Sequence, residues 1–226
     1  ERLSEGRADL FKKELQAVPR VIIWLAMPVA AITFITRGYL VSFINPRGDA
    51  LMAGLLGGLA VAILFRSIYF IAARSFYAQQ DTRTPLYISI VAITLNIALA
   101  FWFTMTLDMG AYGLAYAQSV VAVIEVLILF AVMNRRLRGL FDLKFFRALG
   151  RMAFATGIMS IVSYIMIQLF QLQSDDQSFY ATFPKFLIIS LVSAATYLLM
   201  SKLLGLSEAN PILRKLEKLL FAQARS

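Results

Sequence analysis

The sequence has 226 residues, of which 60% are hydrophobic and 15% are charged, with a mean hydropathy of +0.73 and a net charge of +9. Soluble domains average about 45 to 50% apolar and about 25% charged residues, so this chain has more apolar surface than a water-soluble fold can bury. It has no Cys and no His, which excludes disulfides and thiolate metal sites and removes the usual general base. We therefore predict an integral membrane protein that is not an enzyme and needs no cofactor or metal.

Residues 1–19 have mixed charge and lack the apolar core of a signal peptide. Their apolar and charged side chains separate onto opposite sides of a helix, which predicts an amphipathic segment at the membrane surface. A surface anchor and a partner-binding segment would both look this way. Because the chain opens with Glu1 rather than Met, we expect it to be a portion of a longer protein.

Six apolar segments follow, each close to the roughly 20 residues that span a hydrocarbon core of about 30 Å. They cover residues 20–43, 51–73, 86–107, 111–133, 149–171 and 184–206. The connections are short, so consecutive helices should be antiparallel. Pro28 inside the first segment removes a backbone hydrogen bond and should kink that helix. The predicted fold class is therefore all-α, with about six transmembrane helices.

Two ionisable residues lie well inside these segments, Arg66 in the second and Glu125 in the fourth. A charge near the bilayer centre costs roughly 2.5 to 3.5 kcal/mol on insertion scales, so it usually faces a partner or a cavity. Each residue lies about four turns from the start of its segment, and the two helices are parallel, so we predict equal depth. A structural ion pair, snorkelling side chains and a polar transport cavity all remain open interpretations.

Neutral polar residues form a weaker group in the third and fourth segments. Asn96 and Gln118 are candidates for a hydrated path, although hydrogen bonding between helices would also explain them. Gly54 and Gly58 form a GxxxG spacing in the second segment, and small residues recur every fourth position in the fourth segment. This recurrence consists of Ala111, Ala115 and Ser119. It predicts close approach of these two helices.

The connection between the second and third segments contains the most specific motif. Its residues are Phe76, Tyr77, Asp81, Thr82, Arg83, Thr84 and Pro85. Asp81 and Thr82 can cap the incoming helix, and Pro85 suits a first helical position. Arg74, just before this motif, and Arg83 lie where lipid phosphates are found.

Lys and Arg concentrate in alternate connections. Most precede the first segment, follow the second, separate the fourth from the fifth, or follow the sixth, whereas the other connections carry only Arg37, Arg47 and Lys185. By the positive-inside rule the richer connections are cytoplasmic, so both chain ends should face the cytoplasm. The net charge then reflects topology and anionic lipid contact, with no nucleic-acid partner.

The order Phe76-Tyr77-Ala78, two residues, then Asp81-Thr82-Arg83-Thr84-Pro85 resembles a loop of the MurJ/MviN family, the lipid II flippases of the multidrug/oligosaccharidyl-lipid/polysaccharide exporter superfamily. The LFKKEL lead-in and the turn over residues 108–115 are similar as well. The resemblance implies a fourteen-helix, two-lobed flippase fold, of which this chain would be roughly the ninth to fourteenth helices. It also implies a bacterial cytoplasmic (inner) membrane location.

Under this resemblance the chain divides into five parts. They are an interfacial lead-in (1–19), a four-helix part of the C-terminal transport lobe (20–133), a basic cytoplasmic loop (134–148), an additional helix pair (149–206) and a cytoplasmic amphipathic tail (207–226). The added pair would form an apolar groove for a lipid tail, with faces around Phe154, Ile158, Ile161 and Ile165 and around Leu187, Leu191 and Leu198.

The function implied is flipping of undecaprenyl-pyrophosphate-linked muropeptide from the inner to the outer leaflet by alternating access. The partners implied are this polyprenyl-linked lipid, membrane lipids and other cell-wall synthesis proteins. Two alternatives stay open: a flippase for another polyprenyl-linked polysaccharide repeat, and a non-transporting scaffold of cell-wall assembly. A hydrated, cationic path is needed to carry a charged headgroup, so we expect that these 226 residues alone do not transport.

Overall fold

Seven α-helices make up the computed structural model, which describes residues 8–45, 49–136, 142–170, 172 and 179–210. They are α1 (Ala8–Ile35), α2 (Arg37–Ile44), α3 (Ala50–Tyr77), α4 (Arg83–Phe101), α5 (Ala111–Arg136), α6 (Leu143–Leu169) and α7 (Phe179–Leu203). Five helices are long and apolar enough to cross a membrane, and α1 with α2 makes a sixth when the bent pair counts as one span. No strand occurs among the described residues. The predicted all-α membrane fold is therefore confirmed.

The first span bends at a different residue from the one expected. α1 continues through both Pro19 and Pro28, and the 68° bend lies between Pro19–Ile35 and Arg37–Ile44. Thr36 separates these helices, and its buried hydroxyl donates to the carbonyl oxygen of Ile32 at 2.7 Å. A threonine that bonds back to the preceding turn bends helices, which gives the break a local cause.

α3 and α5 approach each other through the small residues that the sequence singled out. A Cβ placed on Gly58 would lie 3.1 Å from the Cβ of Ala115, and one on Gly54 would lie 2.4 Å from Cε1 of Tyr112. The Ser119 hydroxyl donates to the Gly58 carbonyl at 2.5 Å and accepts from the Ala62 amide at 3.2 Å. The predicted close approach of these helices is confirmed.

The core lies toward one end of the bundle, where α3 and α5 end and α6 begins. We call it the basic end, because Arg74, Arg83, Arg136 and Arg151 lie there. Its fully buried side chains come from most of the helices. Examples are Phe76, Leu129, Met133, Met152 and Met159.

The end of α7 returns to α1 at the basic end. The Trp24 indole donates to Ser201 at 3.0 Å, and the Tyr197 hydroxyl donates to the Trp24 carbonyl at 2.8 Å. Beyond α7, the 3-10 turn Ser207–Ala209 brings Glu208 to 2.9 Å from Nε of Arg20. The C-terminal helix pair is thereby fastened to the first span.

Several predicted boundaries differ from the structure. Much of the predicted loop 134–148 is helical, because α5 continues to Arg136 and α6 begins at Leu143, where Asp142 accepts from the Phe145 amide at 2.9 Å. The lead-in is helical from Ala8 and runs into α1 without a break. The structure does not describe residues 1–7, 46–48, 137–141, 171, 173–178 and 211–226. Arg47 and most of the predicted tail therefore lie outside the described residues.

Candidate functional site

An ion pair lies between α3 and α5 at the depth that the sequence indicated. Nη1 of Arg66 donates to Oε2 of Glu125 at 2.8 Å. The Glu125 side chain is 1% exposed, whereas the Arg66 side chain is 34% exposed. The pairing is therefore present, and it is asymmetric: the Glu125 side chain is enclosed by protein, while about a third of the Arg66 side chain is exposed.

Two side chains that the sequence did not single out extend this pair toward α4. The Ser89 hydroxyl donates to Oε1 of Glu125 at 3.3 Å, and it shares a hydrogen bond of 2.5 Å with the Tyr69 hydroxyl. Arg66 and Tyr69 are three residues apart and share a face of α3. Three helices thus contribute to one polar chain running from Arg66 through Glu125 and Ser89 to Tyr69.

Asn96 and Gln118 form a second polar contact, between α4 and α5. The Asn96 amide donates to Oε1 of Gln118 at 2.8 Å. Each lies seven residues from a member of the polar chain, Ser89 on α4 and Glu125 on α5, which is about 10 Å along a helix. No hydrogen bond among the described residues joins the two groups, so the four predicted path residues form two separate pairs.

Asp81 organises the loop motif between α3 and α4. Its Oδ1 accepts from the amides of Arg83 at 3.1 Å and Thr84 at 3.0 Å, and its Oδ2 accepts from the Thr84 hydroxyl at 2.6 Å. Thr82 makes no side-chain capping bond, so Asp81 alone of the two expected residues caps α4. Pro85 is the third residue of the helix rather than the first, because α4 already begins at Arg83.

Arg136, from the end of α5, completes this motif, although the sequence indicated only that it belongs to a basic stretch. Its guanidinium contacts Oδ2 of Asp81 at 2.5 Å and Oγ1 of Thr84 at 2.8 Å, and lies 5.4 Å from the ring centre of the buried Phe76. The hydrogen bonds from Thr84, helped by Arg136, lower the pKa of Asp81 to about 2. The motif therefore joins three helices at the basic end.

The turn before α4 has a backbone conformation that L residues rarely adopt. Gln80 has a φ of 60°, and the amide of Asp81 bonds to the carbonyl of Phe76 at 3.1 Å while that of Gln80 bonds to Tyr77 at 2.9 Å. This hydrogen-bond pattern is a Schellman C-cap, which usually places glycine at the left-handed position.

A groove of about 450 Å³ between α3 and α4 connects the motif with the polar chain. Its lining residues are Tyr69, Tyr77, Thr82, Pro85, Leu86 and Ser89. Tyr77 and Thr82 belong to the loop motif, whereas Tyr69 and Ser89 are hydrogen-bonded to each other at the inner end. Hydroxyl and aromatic groups therefore line a continuous surface that runs from the basic end toward Glu125.

A larger and more apolar groove of about 620 Å³ lies between α1, α3 and α6. Its wall includes Met27, Phe34, Leu64, Ile161 and Tyr164. Of the apolar faces expected to hold a lipid tail, only Ile161 lines it, because α6 and α7 close against each other through the Ser163–Ser193 hydrogen bond of 2.6 Å. The apolar groove therefore opens beside the helix pair rather than within it.

Comparison with known proteins identifies the family to which the chain is similar. The family model described as lipid II flippase MurJ matches residues 1–184. A probable lipid II flippase MurJ of Thermotoga maritima is 26% identical over 156 residues, which are 69% of this chain and 29% of that protein. Another, from Rhizobium meliloti, is 24% identical over 155 residues, or 64% of this chain and 28% of that protein.

The chain thus spans less than a third of the length of these curated relatives. The match covers the ion pair, the loop motif and both grooves. This multi-pass membrane chain belongs to the lipid II flippase MurJ family.

Proposed function

We propose that this chain is the C-terminal portion of a lipid II flippase in the bacterial inner membrane. The whole protein would move undecaprenyl-pyrophosphate-linked muropeptide from the inner to the outer leaflet by alternating access. The support is the family match over residues 1–184 together with the names of both relatives, which are transporters rather than enzymes.

The observation that carries a transport role for these residues is the exposed part of Arg66. The Arg66 side chain is about one-third exposed within an apolar span, and any guanidinium N–H that Glu125 does not accept needs water or another partner there, because hydrocarbon solvates it poorly. Glu125 holds it at a defined depth. We propose that Arg66 and Glu125 border a hydrated path, which the remaining part of the protein would complete, and that Asn96 and Gln118 border its other end.

The two grooves suit the two halves of such a lipid. A charged, sugar-bearing headgroup requires polar surroundings, while a polyprenyl tail is stable in hydrocarbon. The groove from Tyr77 to Ser89 is the more polar of the two, although most of its wall is apolar, and the groove beside α6 is almost entirely apolar. We propose that the basic end and both chain ends face the cytoplasm. The lipid headgroup would enter from the basic end, and the polyprenyl tail would follow the apolar groove.

The loop motif has a supporting role in this proposal. Asp81, Thr84 and Arg136 join α4 to the end of α5, and Phe76 anchors the end of α3 beneath them. Such a clasp keeps the cytoplasmic ends of three helices together while their opposite ends move. Arg83 and Tyr77 are exposed beside it, where the lipid headgroups lie.

The proposal is tested by complementation with the full-length gene in cells depleted of their own lipid II flippase. Rescue by the wild type and loss of rescue by Arg66→Gln, at equal membrane abundance, would support the path. Arg147→Gln provides a matched control, because Arg147 is an exposed arginine on α6 away from both pairs. Failure of the wild type to rescue, despite correct insertion, would favour another polyprenyl-linked substrate or a scaffold.

A further inference from the structure

A third groove runs along the outside of α1 and α3, on a face that the proposed path does not use. It has a volume of about 490 Å³ and is walled by matching stripes of each helix. The α1 stripe consists of Ile22, Leu25, Ala26 and Val29, and the α3 stripe of Ser67, Phe70, Ile71 and Arg74. Each stripe repeats at three- and four-residue intervals over two turns, so the groove is about 10 Å long.

Arg74 gives this groove one charged end. It lies in the last turn of α3 at the basic end, level with Ile22, whereas the wall between it and Val29 is apolar except for Ser67. The Ser67 hydroxyl is already bonded to the carbonyl of Ile63 at 2.8 Å, so it offers little to a ligand. The groove therefore combines an apolar slot, directed into the membrane, with a single cation at the depth of the headgroups.

Three arginines near the same depth are bound to protein oxygens. Arg20 pairs with Glu208, Arg136 with Asp81, and Arg151 with the carbonyl of Leu204. Within the described part of the chain, the guanidinium of Arg74 has no such partner. An exposed arginine at the mouth of an apolar slot suits a phosphate that is covalently attached to a hydrocarbon chain.

We propose that this groove binds one acyl chain of an anionic phospholipid, with its phosphate on Arg74. The occupant is a bilayer lipid rather than free phosphate, because Leu25, Val29 and Phe70 are 50 to 63% exposed on an apolar wall, which a hydrocarbon chain would cover favourably and phosphate alone would not. Phospholipid bound here would lie between the first two spans. The proposal is independent of the proposed function, since it does not require that the protein moves lipid.

The test measures quenching of a tryptophan in the groove by brominated lipids. The full-length protein carrying Phe70→Trp and Trp102→Phe is reconstituted in phosphatidylcholine containing increasing brominated phosphatidylglycerol or, separately, brominated phosphatidylcholine. The quenching of the parent with Trp102→Phe alone, which retains Trp24, is subtracted. We expect the brominated phosphatidylglycerol to quench at about a fivefold lower mole fraction, the preference that one basic residue near a membrane surface typically gives. Leu25→Trp provides a second reporter on the opposite wall, should Phe70→Trp not insert.

Two further variants separate the groove from general surface charge. Arg74→Gln should abolish the preference for phosphatidylglycerol, while Arg83→Gln, which removes an exposed arginine at the same end but outside the groove, should retain it. Equal quenching by the two lipids would overturn the proposal. So would loss of the preference in both arginine variants, or a reporter that neither lipid quenches because protein covers the groove.

Discussion

α3 meets α5 and α4 in opposite ways. Against α5 it packs backbone to backbone, with Gly58 facing Ala115 and the Ser119 hydroxyl bonded to a main-chain carbonyl. Against α4 it leaves a groove of about 450 Å³, crossed by the hydrogen bond between Tyr69 and Ser89. Small residues thus let the backbones of α3 and α5 approach closely, whereas polar side chains hold α3 and α4 together across a gap.

The largest expected effect comes from breaking the Arg66–Glu125 ion pair between α3 and α5. Glu125→Leu should lower the free energy of unfolding by about 3 kcal/mol, because it leaves Arg66 without its carboxylate inside the membrane. The double variant Arg66→Leu with Glu125→Leu should recover most of this loss. Unfolding of the purified protein in detergent measures both values.

The same double variant separates structure from transport. Recovered stability with lost complementation is the result expected if the pair borders a hydrated path. Normal folding together with normal transport in the double variant would contradict the proposal that the two residues face a common interior.

The close interface should be sensitive to added volume. Gly58→Leu should destabilise the protein by about 2 kcal/mol, because a side chain there would push the helix away from Ala115. Gly150→Leu is the matched control, since a Cβ at Gly150 meets nothing within 4 Å, and it should leave stability near the wild-type value. Thermal unfolding followed by size-exclusion fluorescence provides the measurement, and equal effects of the two substitutions would contradict the assignment.

The clasp at the basic end should respond to acid. The pKa of Asp81 falls from 3.8 to about 2 on folding, so its contribution to stability is complete above pH 3.8 and is lost as the pH falls through about 2. Asp81→Asn removes this contribution. The difference in Tm between wild type and variant should therefore be constant near neutral pH and shrink between pH 4 and pH 2. A difference that does not change over this interval would indicate that the carboxylate is not held by Thr84 and Arg136.

The smallest expected effect concerns the turn before α4. Gln80→Gly should stabilise the protein by about 0.5 kcal/mol, because glycine adopts the φ of 60° without steric cost, a gain partly offset by its larger unfolded-state entropy. Ala78→Gly, two residues earlier with a φ of −63°, should instead destabilise by a similar or larger amount. Chemical denaturation of the two variants checks the opposite signs.

Hydropathy was sufficient to locate the spans. A bilayer requires a certain number of consecutive apolar residues, and that number can be read directly from the sequence. Equal depth in parallel helices was likewise enough to bring Arg66 and Glu125 together. The bend at Thr36 could not be found in this way, since it depends on a hydroxyl bonding to a carbonyl one turn earlier, and Pro28 gave the stronger but misleading signal.

The partners missed in the site share one physical reason. Arg136 was counted as a topological charge, and Ser89 and Tyr69 are ordinary residues of apolar helices. Their importance arises from which faces of α3, α4 and α5 meet, and that depends on packing between segments far apart in sequence. A search for donors within reach of Asp81, made after helix order is known, would have found Arg136.

The attachment of α7 to α1 limits how the C-terminal helix pair can move. Because Trp24 bonds to Ser201 and Arg20 pairs with Glu208, the basic end of α7 cannot separate from the first span without breaking both contacts. At the other end, the Tyr39 hydroxyl bonds to the Phe170 carbonyl, and Phe43 packs against Phe179 and Phe186. Because α6 and α7 are bonded to the first span at both ends, they should move with that span rather than independently of it. Any opening of the bundle would then carry α1, α2, α6 and α7 together as one unit.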